Sequence, residues 1–167
     1  MSNTDKNLGE AFAGESQASR KYTYFASKAD SEGHKQIARL FRAAAEAETI
    51  HARNHLNVLK GIKSTRENLA AAIGGESYEF TKMYPEFIEQ ANAEGAKDAA
   101  ESFDLANKVE RIHHDLYQKA LSKLENGESM EEQPFFVCQH CGNTVEGEAP
   151  DRCPICGAPK RMFVRID

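Results

Sequence analysis

Apolar residues recur at steps of three and four along most of the first 125 residues, a spacing that predicts amphipathic helices. Four helices are predicted, over about 5–30, 34–60, 76–93 and 97–125. Each helix presents one apolar stripe, so burial of the stripes predicts a helical bundle.

Local signals place the ends and the connections of these helices. Asn3 or Thr4 is expected to cap the first helix. Residues 61–75 carry a short helical stretch and two adjacent glycines, so they are interpreted as a crossover connection. Pro85 lies inside the third helix and is expected to kink or loosen it just after Tyr84.

Charged residues interrupt two of the apolar stripes at their centres. Glu48-Thr49-Ile50-His51 recurs as Glu110-Arg111-Ile112-His113, and in each the Glu and the His lie three residues apart, on one helix face. A single Glu-x-x-His is usually an exposed pair. Two of them within apolar stripes indicate a metal, because charged groups are rarely buried unless they are paired or bound to one.

Two further glutamates are expected at the same level. Counted from the turn that joins each pair of helices, Glu15 and Glu48 lie 18 and 15 residues away, and Glu79 and Glu110 lie 16 and 15. At ~1.5 Å per residue each pair is level within roughly 5 Å. One Glu from each of two helices and a Glu-x-x-His from each of the others is the di-iron or di-manganese donor set, and imidazole favours iron.

The last thirty-odd residues have a different character. Residues 128–134 read as a linker, and 135–167 carry two Cys-x-x-Cys-Gly motifs, which indicate a closed tetrahedral site. Its four ligands are Cys138, Cys141, Cys153 and Cys156. Such a small module depends on its metal for folding. Four thiolates suit zinc or iron, and in isolation a structural zinc ribbon is the ordinary interpretation.

Composition narrows the choice of partners and compartment. The chain has 167 residues and a formal net charge of −5, with no basic block, so we expect no nucleic-acid partner. No apolar run is long enough for a membrane span, and the N-terminal residues lack a secretory pattern. We therefore expect a cytoplasmic protein without a membrane partner, whose cysteines stay reduced.

Nearly the whole chain resembles rubrerythrin. The resemblance is carried by Glu15, Glu48–His51, Gly75–Glu79, Met83–Pro85, Glu110–His113 and both cysteine motifs. It implies an all-α, ferritin-like four-helix bundle over 1–127, the linker 128–134, and a metal-stabilised, rubredoxin-like β module over 135–167. It also implies two bridged irons in the bundle and one iron on the cysteines, with zinc as a possible substitute.

The resemblance also implies roles for individual ligands. Glu76 and Glu79 are both expected to bind iron, and a second glutamate on the third helix distinguishes this family from plain ferritins. Glu48 and Glu110 are expected to bridge the irons, and His113 is expected to bind one of them.

Four catalytic residues follow from the same resemblance. On reduction one iron is expected to exchange Glu79 for His51. Tyr22 and Tyr84 match tyrosines that hydrogen-bond the ligand carboxylates. Packing of both tyrosines at the edge of the core is the simpler alternative and stays open.

The implied function is that of a peroxidase in oxidative-stress defence. Hydrogen peroxide would be reduced to water, and an NAD(P)H-dependent electron-transfer protein or a rubredoxin would return electrons through the cysteine site. The chain has no glycine fingerprint for a nicotinamide of its own. The alternatives are a ferritin-like iron oxidase or storage protein with a structural zinc ribbon, and a zinc-ribbon interaction protein on an inert bundle.

A homodimer is also expected. Members of the family pair with the cysteine module of one subunit near the di-iron site of its partner. The short linker and the ~20 Å from bundle centre to helix end make a route within one chain awkward, which favours a head-to-tail arrangement. The sequence leaves open whether helical hairpins are exchanged between two chains.

Overall fold

The fold consists of five α-helices followed by a small antiparallel sheet, and the computed structural model describes residues 2–167. The helices are α1 (Asn3–Ser31), α2 (Lys35–Val58), α3 (Thr65–Tyr78), α4 (Tyr84–Glu94) and α5 (Lys97–Glu125), with a π-helical segment, Glu79–Met83, between α3 and α4. The strands are β1 (Phe135–Cys138), β2 (Thr144–Glu146) and β3 (Phe163–Ile166), and a 3-10 turn, Lys160–Met162, precedes β3. The chain forms two compact units, one ending at Lys63 and the other spanning Ser64–Asp167. No helix within residues 2–167 combines the length and the apolar character that a membrane span requires.

The first unit is a hairpin of α1 and α2. It turns at Gly33, whose φ of 84° lies in the region that glycine adopts most easily. Small side chains fill the contact between the helices; the buried ones are Ala26, Ala29, Ala38, Ala45 and Ala52. A hydrogen bond of 2.8 Å between the hydroxyls of Ser19 and Thr49 joins the two helices at mid-length. Close packing therefore fixes which face of each helix is directed at the other.

The helix cap of α1 differs from the expectation. Ser2, rather than Asn3 or Thr4, is the capping residue, and it forms a reciprocal capping box with Asp5. The backbone N–H of Ser2 donates to the Asp5 carboxylate while the Ser2 hydroxyl accepts from the Asp5 N–H. These two hydrogen bonds satisfy the backbone N–H groups of Ser2 and Asp5. The expectation of a cap at Asn3 or Thr4 rested on residue type alone.

The second unit contains α3, α4 and α5, and both α3 and α4 pack against α5. The expectation of a crossover over 61–75 is wrong for most of that range, because α3 already begins at Thr65. Ser64 caps the helix and forms a capping box with Glu67. Gly74 and Gly75 lie within α3: each costs the helix about 1 kcal/mol relative to Ala, which weakens it without ending it.

The irregularity predicted at Pro85 occurs one turn earlier than expected. The π-helical segment covers Glu79–Met83, and α4 restarts at Tyr84 with Pro85 in its first turn. Proline has no N–H, so the carbonyl one turn before it loses its helical partner. The distortion is therefore placed on the N-terminal side of Pro85, in the turn that carries Glu79.

The C-terminal module belongs to the second unit and has a three-stranded sheet in the order β2-β1-β3. Both pairings are antiparallel, and Phe136 lies opposite Val145 on one side and Arg165 on the other. The buried core of the module is Cys138, Ala149, Cys153 and Phe163, so two of its four members are metal ligands.

Candidate metal centres

A first group of metal-ligand side chains lies on the α1–α2 hairpin. Glu15 from α1 meets Glu48 and His51 from α2, with ligand atoms within 4.8 Å of one another. The Nδ1 atom of His51 is 2.8 Å from Glu48 Oε2 and 3.9 Å from Glu15 Oε1. The i, i+3 spacing on α2 places the Glu and the His together, and the packing of α1 adds the second carboxylate.

A second group lies on the helices of the other unit and has the same composition. Glu76 from α3 meets Glu110 and His113 from α5, again with ligand atoms within 4.8 Å. The Nδ1 atom of His113 is 2.8 Å from Glu110 Oε2 and 3.9 Å from Glu76 Oε2. Both groups therefore present the same Nδ1 atom and two carboxylates at matching distances.

The carboxylates of the second group are crowded enough to resist ionisation. Burial, followed by the negative charge of Glu110, raises the pKa of Glu76 to about 7. Burial and the charge of Glu110 also raise the pKa of Glu79, whose position at the start of the π-helical segment brings it close to Glu110 and His113. A divalent cation bound among these oxygens would remove the repulsion, which is the arrangement expected of a metal site.

His113 is held at both ring nitrogens. Its Nδ1 atom meets Glu110 at 2.8 Å, and its Nε2 atom meets the Thr144 hydroxyl of the C-terminal module at 3.0 Å. The hydrogen bond to Glu110 raises the pKa of His113, and burial opposes the shift. The imidazole is thus oriented from both sides before a metal binds.

The two candidate tyrosines occupy equivalent aromatic surroundings in their own units. Tyr22 packs against Phe25 and Phe41 in the first unit. Tyr84 packs against Phe87 and Phe103 in the second. Burial, and then the charges of Glu110, Glu79 and Glu76, raise the pKa of Tyr84. The Tyr84 hydroxyl therefore lies within the electrostatic reach of the second group and stays protonated at neutral pH.

The four cysteines have the geometry of a tetrahedral metal site. The Sγ atoms of Cys138 and Cys156 are 3.7 Å apart, and those of Cys141 and Cys153 are 3.6 Å apart. Four sulfurs at ~2.3 Å from a central ion lie about 3.8 Å from one another. All four cysteines are free thiols, since a disulfide needs an S–S distance of about 2.05 Å. The donor set therefore fits iron or zinc.

Without a metal, the pKa values of the Cys141, Cys153 and Cys156 thiols are shifted in different directions. Burial raises the pKa of the Cys141 thiol and of the Cys156 thiol. Burial acts in the same direction on Cys153, but the backbone amides of Cys156 and Ile155 outweigh it and lower the pKa of that thiol to about 7. Metal binding must therefore displace protons from the thiols of Cys141 and Cys156.

Comparison with known proteins decides the family. A family model described as rubrerythrin matches residues 6–121, and one described as the rubredoxin-like domain of rubrerythrin matches residues 136–164. The chain belongs to the rubrerythrin family. A rubrerythrin of Porphyromonas gingivalis is 41% identical over 178 aligned positions, which cover 97% of this chain and 89% of that protein. A rubrerythrin of Nitratidesulfovibrio vulgaris is 34% identical, over 97% of this chain and 93% of that protein.

Solved structures lead to the same family. A mixed-valence state of nigerythrin is 35% identical to this chain and superposes with a TM-score of 0.58, covering 99% of this chain and 88% of that one. A fully reduced, all-ferrous state of nigerythrin gives the same values.

Membership of the rubrerythrin family confirms the predicted fold class and the predicted cofactors. The fold is mainly helical with a small four-cysteine sheet module, and the Glu/His groups and the cysteines are the di-iron and rubredoxin-like sites of the family. The chain is an iron-binding oxidoreductase of the rubrerythrin type. The roles of single residues, including the bridging role of Glu48 and Glu110, stay predictions.

An internal repeat that sequence analysis missed relates the two groups. Six residues of the first unit recur 62 positions later in the second. The pairs are Tyr22 with Tyr84, Phe25 with Phe87, Gly33 with Gly95, Phe41 with Phe103, Glu48 with Glu110, and His51 with His113. Glu15 has its structural counterpart at Glu76, an offset of 61. The π-helical segment between Glu76 and Tyr84 holds the additional residue, since a π turn contains one residue more than an α turn.

The contact between the C-terminal module and α5 was also missed. The expectation that the short linker makes a route within one chain awkward is wrong, because β2 lies against α5 of the same chain at His113. Lys119 of α5 forms an ion pair of 2.5 Å with Glu146 of β2, and Gly142 faces Val109. No sequence pattern marks Thr144 as a partner of His113, because 31 residues separate them.

Proposed function

We propose that the chain is a cytoplasmic hydrogen peroxide reductase that acts in oxidative-stress defence. The observation that carries this proposal is the contact of the four-cysteine module with His113, which puts an electron-transfer site beside a di-iron ligand group. A structural zinc ribbon or an iron-storage site would have no need of that contact.

The reaction consumes two electrons and two protons, so that H₂O₂ + 2 e⁻ + 2 H⁺ gives two molecules of water. When loaded, the di-iron site supplies the electron pair, and the four-cysteine iron replaces the electrons singly. The proposed ligands are Glu15, Glu48, His51, Glu76, Glu79, Glu110 and His113 for the former, and Cys138, Cys141, Cys153 and Cys156 for the latter.

Two ligands are proposed to exchange between redox states, Glu79 and His51. The His51 side chain is 53% exposed, against 27% for His113, so it has more room to move. Glu79 begins the π-helical segment, and such segments are frequent at functional sites. These features support the exchange that the family implies.

The tyrosines are proposed to hold hydrogen bonds to ligand carboxylates. Tyr84 keeps its proton because burial and the nearby carboxylates raise its pKa, so its hydroxyl remains a donor at neutral pH. Tyr22 occupies the equivalent aromatic position in the first unit. Their donation would steady the carboxylates as the charge of the site changes.

A separate protein is proposed to deliver the electrons, either an NAD(P)H-dependent electron-transfer protein or a rubredoxin. We also propose a homodimer. The linker argument for a head-to-tail arrangement no longer applies, because the module already contacts a di-iron ligand of its own chain.

Metal content and the visible spectrum test the proposal first. Protein purified without added metal is expected to contain about three irons per chain, with a ferric–thiolate colour that dithionite bleaches and hydrogen peroxide restores. Zinc in the cysteine site and a colourless protein that takes up iron with oxygen would instead support a ferritin-like oxidase.

Substitution of the proposed bridging residues gives the second test. Glu48→Ala and Glu110→Ala are each expected to abolish peroxidase turnover while the cysteine site keeps its colour. Glu89→Ala, at an exposed position of α4, is the control. Turnover that survives either bridging substitution would contradict the assignment.

A further inference from the structure

We propose that Asn143 raises the reduction potential of the four-cysteine site, because its side chain donates a hydrogen bond to the metal ligand Cys153. The inference deepens the proposed function, in which this site relays electrons, and it rests on that function only for the use made of the potential. The hydrogen bond itself rests on the geometry of the C-terminal module.

Asn143 has a buried polar side chain that packing alone does not explain. It is 1% exposed, and its amide nitrogen, Nδ2, donates to Sγ of Cys153 at 3.6 Å. Its amide oxygen, Oδ1, is also buried and meets no donor among residues 2–167. A buried oxygen without a partner is unfavourable, and a leucine of similar size would avoid it. Stability therefore does not account for an asparagine at this position.

The sulfur determines which way the amide faces. A cysteine bound to a metal is a thiolate, so its sulfur only accepts hydrogen bonds. The reversed amide would direct the lone pairs of Oδ1 at a negatively charged sulfur. Nδ2 of Asn143 therefore faces Cys153, and the contact is a charge-assisted N–H···S hydrogen bond.

The backbone of Asn143 is held by two other ligands. Its N–H donates to Sγ of Cys141. Its carbonyl oxygen accepts from the N–H of Cys138 at 2.9 Å. Asn143 thus contacts three of the four metal ligands, and these bonds fix the backbone from which its side chain extends towards Cys153.

The second cysteine motif repeats the backbone arrangement without the side chain. Ala158 occupies the position of Asn143: its carbonyl oxygen accepts from the N–H of Cys153 at 2.8 Å. Its N–H donates to Sγ of Cys156. Alanine has no side-chain donor, so the two motifs differ. Sγ of Cys153 accepts from the backbone N–H groups of Cys156 and Ile155, and Asn143 adds a further donor.

The additional hydrogen bond favours the reduced state of the site. Four thiolates give a single net negative charge with ferric iron and a double one with ferrous iron. The positive end of an N–H dipole beside a sulfur therefore stabilises the reduced state more than the oxidised state, and the effect is stronger away from water. Asn143 should thus raise the potential, which allows the site to take an electron from a weaker donor.

Substitution of Asn143 by leucine removes the donor and keeps the size of the side chain. We expect the equilibrium constant for one-electron reduction of the cysteine iron to fall about 10-fold in Asn143→Leu, which lowers the potential by about 59 mV. Asn92→Leu makes the same change at an exposed position of α4 and should leave the potential as in the wild type.

A mediated redox titration of the iron-loaded, full-length protein measures these potentials. The ferric–thiolate colour is the signal, and its presence in the oxidised variant shows that the cysteine site is intact. A potential in Asn143→Leu that equals or exceeds that of the wild type would overturn the inference.

The hydrogen bond is also detectable in the wild type, which decides the point if Asn143→Leu does not fold. The full-length protein is loaded with a magnetic isotope of cadmium, which suits thiolate ligands. A proton that is hydrogen-bonded to a ligand sulfur then shows a scalar coupling to the metal, and we expect this coupling for a side-chain amide proton of Asn143. The backbone amide protons of Asn143 and Ala158 are internal controls. Coupling of these backbone protons without coupling of the side-chain proton would contradict the proposal.

Both measurements are made without peroxide, so they fail separately from the proposed function. A wild type whose reduced cysteine iron is not reoxidised by hydrogen peroxide would reject the peroxidase function, while a lowered potential in Asn143→Leu would still support the role of Asn143. Reoxidation by peroxide with equal potentials in the wild type and in Asn143→Leu would do the reverse.

Discussion

At the scale of residues, the second ligand group, Glu76 with Glu110 and His113, holds carboxylates whose mutual repulsion the metal-free protein does not relieve. Glu76 and Glu79 both have raised pKa values because burial and the charge of Glu110 oppose their ionisation. The same Glu110 stabilises the protonated form of His113 through a hydrogen bond. The metal-free protein therefore retains protons at this group that a bound cation would displace.

A pH dependence of stability follows for the metal-free protein. The pKa of Glu76 is about 7 when folded against a usual value of 4.5, so the folded chain binds more protons than the unfolded chain between these values. The free energy of unfolding should therefore fall as the pH rises from about 4.5 to about 7. The raised pKa values of Glu79 and His113 act in the same direction. Asp30, whose pKa the hydrogen bond from Arg42 lowers, matters only below 3.8.

Urea unfolding of the metal-free protein at about pH 5 and about pH 7.5 measures this dependence. Glu76→Gln should flatten it, because the amide does not titrate. Glu89→Gln, at an exposed position, should leave it as in the wild type. A free energy of unfolding that rises over this range would contradict the prediction.

The tyrosines give a second prediction at this scale. Tyr84→Phe removes the hydroxyl but keeps the contacts of the ring with Phe87 and Phe103. Peroxidase turnover should fall about 10- to 100-fold with the iron content unchanged, as for other residues that orient ligands. Tyr24→Phe, on a side chain that is 70% exposed, is the control. Full activity of Tyr84→Phe would leave packing as the only role of this residue.

At the scale of elements, the π-helical segment compensates for a mismatch in the internal repeat. The corresponding residues of the two units keep an offset of 62 from Tyr22 and Tyr84 onwards, but Glu76 matches Glu15 at 61. Each residue rotates a helix by ~100°, so one additional residue in a purely α-helical path would turn Glu76 away from Glu110. The wider turn absorbs that residue, and Pro85 favours it by removing a helical donor.

Deletion of Lys82 tests this interpretation. Lys82 is exposed within the π-helical segment, and its removal should convert the segment to α-helix while Glu76 keeps towards Glu110 the register that Glu15 has towards Glu48. We expect the deletion variant to keep its iron, with far-ultraviolet circular dichroism unchanged. Insertion of one alanine after Lys82 adds a residue that a single π turn does not absorb, so it should rotate Glu76 away from Glu110, and at least one iron should be lost. Lys82→Ala keeps the chain length and should retain all metal. Loss of iron on deletion, or full iron content after the insertion, would contradict the interpretation.

At the scale of the whole molecule, folding and metal binding are coupled unequally. The helical hairpin of the first unit is held by buried alanines and a hydroxyl–hydroxyl hydrogen bond. The core of the C-terminal module consists of Ala149, Phe163 and two of its cysteines. Metal binding can contribute ~10–16 kcal/mol to a small module of this kind, more than so few apolar side chains supply.

Cys138→Ala should therefore unfold the module and spare the helices. Loss of the ferric–thiolate colour should coincide with fast hydrogen exchange across β1, β2 and β3, while the helical signal persists. Val164→Ala, at a residue that is 47% exposed on β3, removes a similar volume and should keep both colour and protection. Protected strands in colourless Cys138→Ala would contradict the coupling.

The oligomeric state is the last prediction. One ligand group lies on each of the two compact units: Glu15, Glu48 and His51 on the first, and Glu76, Glu110 and His113 on the second. We expect a homodimer or a multiple of it by light scattering with gel filtration, over a range of protein concentrations. A protein that is monomeric throughout and fully active as a peroxidase would contradict this expectation.

The sequence by itself determined the helical class, the two Glu-x-x-His pairs and the four-cysteine site, while the roles of single ligands stay predictions. These are encoded locally: Glu48 and His51, and Glu110 and His113, share a helix face at i, i+3, and each cysteine pair lies within a single turn. The boundary of α3 was misjudged because two adjacent glycines suggest a break, whereas the capping box at Ser64 starts the helix earlier. Only the tertiary structure decided that β2 lies against α5 and that Thr144 bonds His113. That contact joins residues far apart in the sequence, and a threonine in a strand carries no signal of its distant partner.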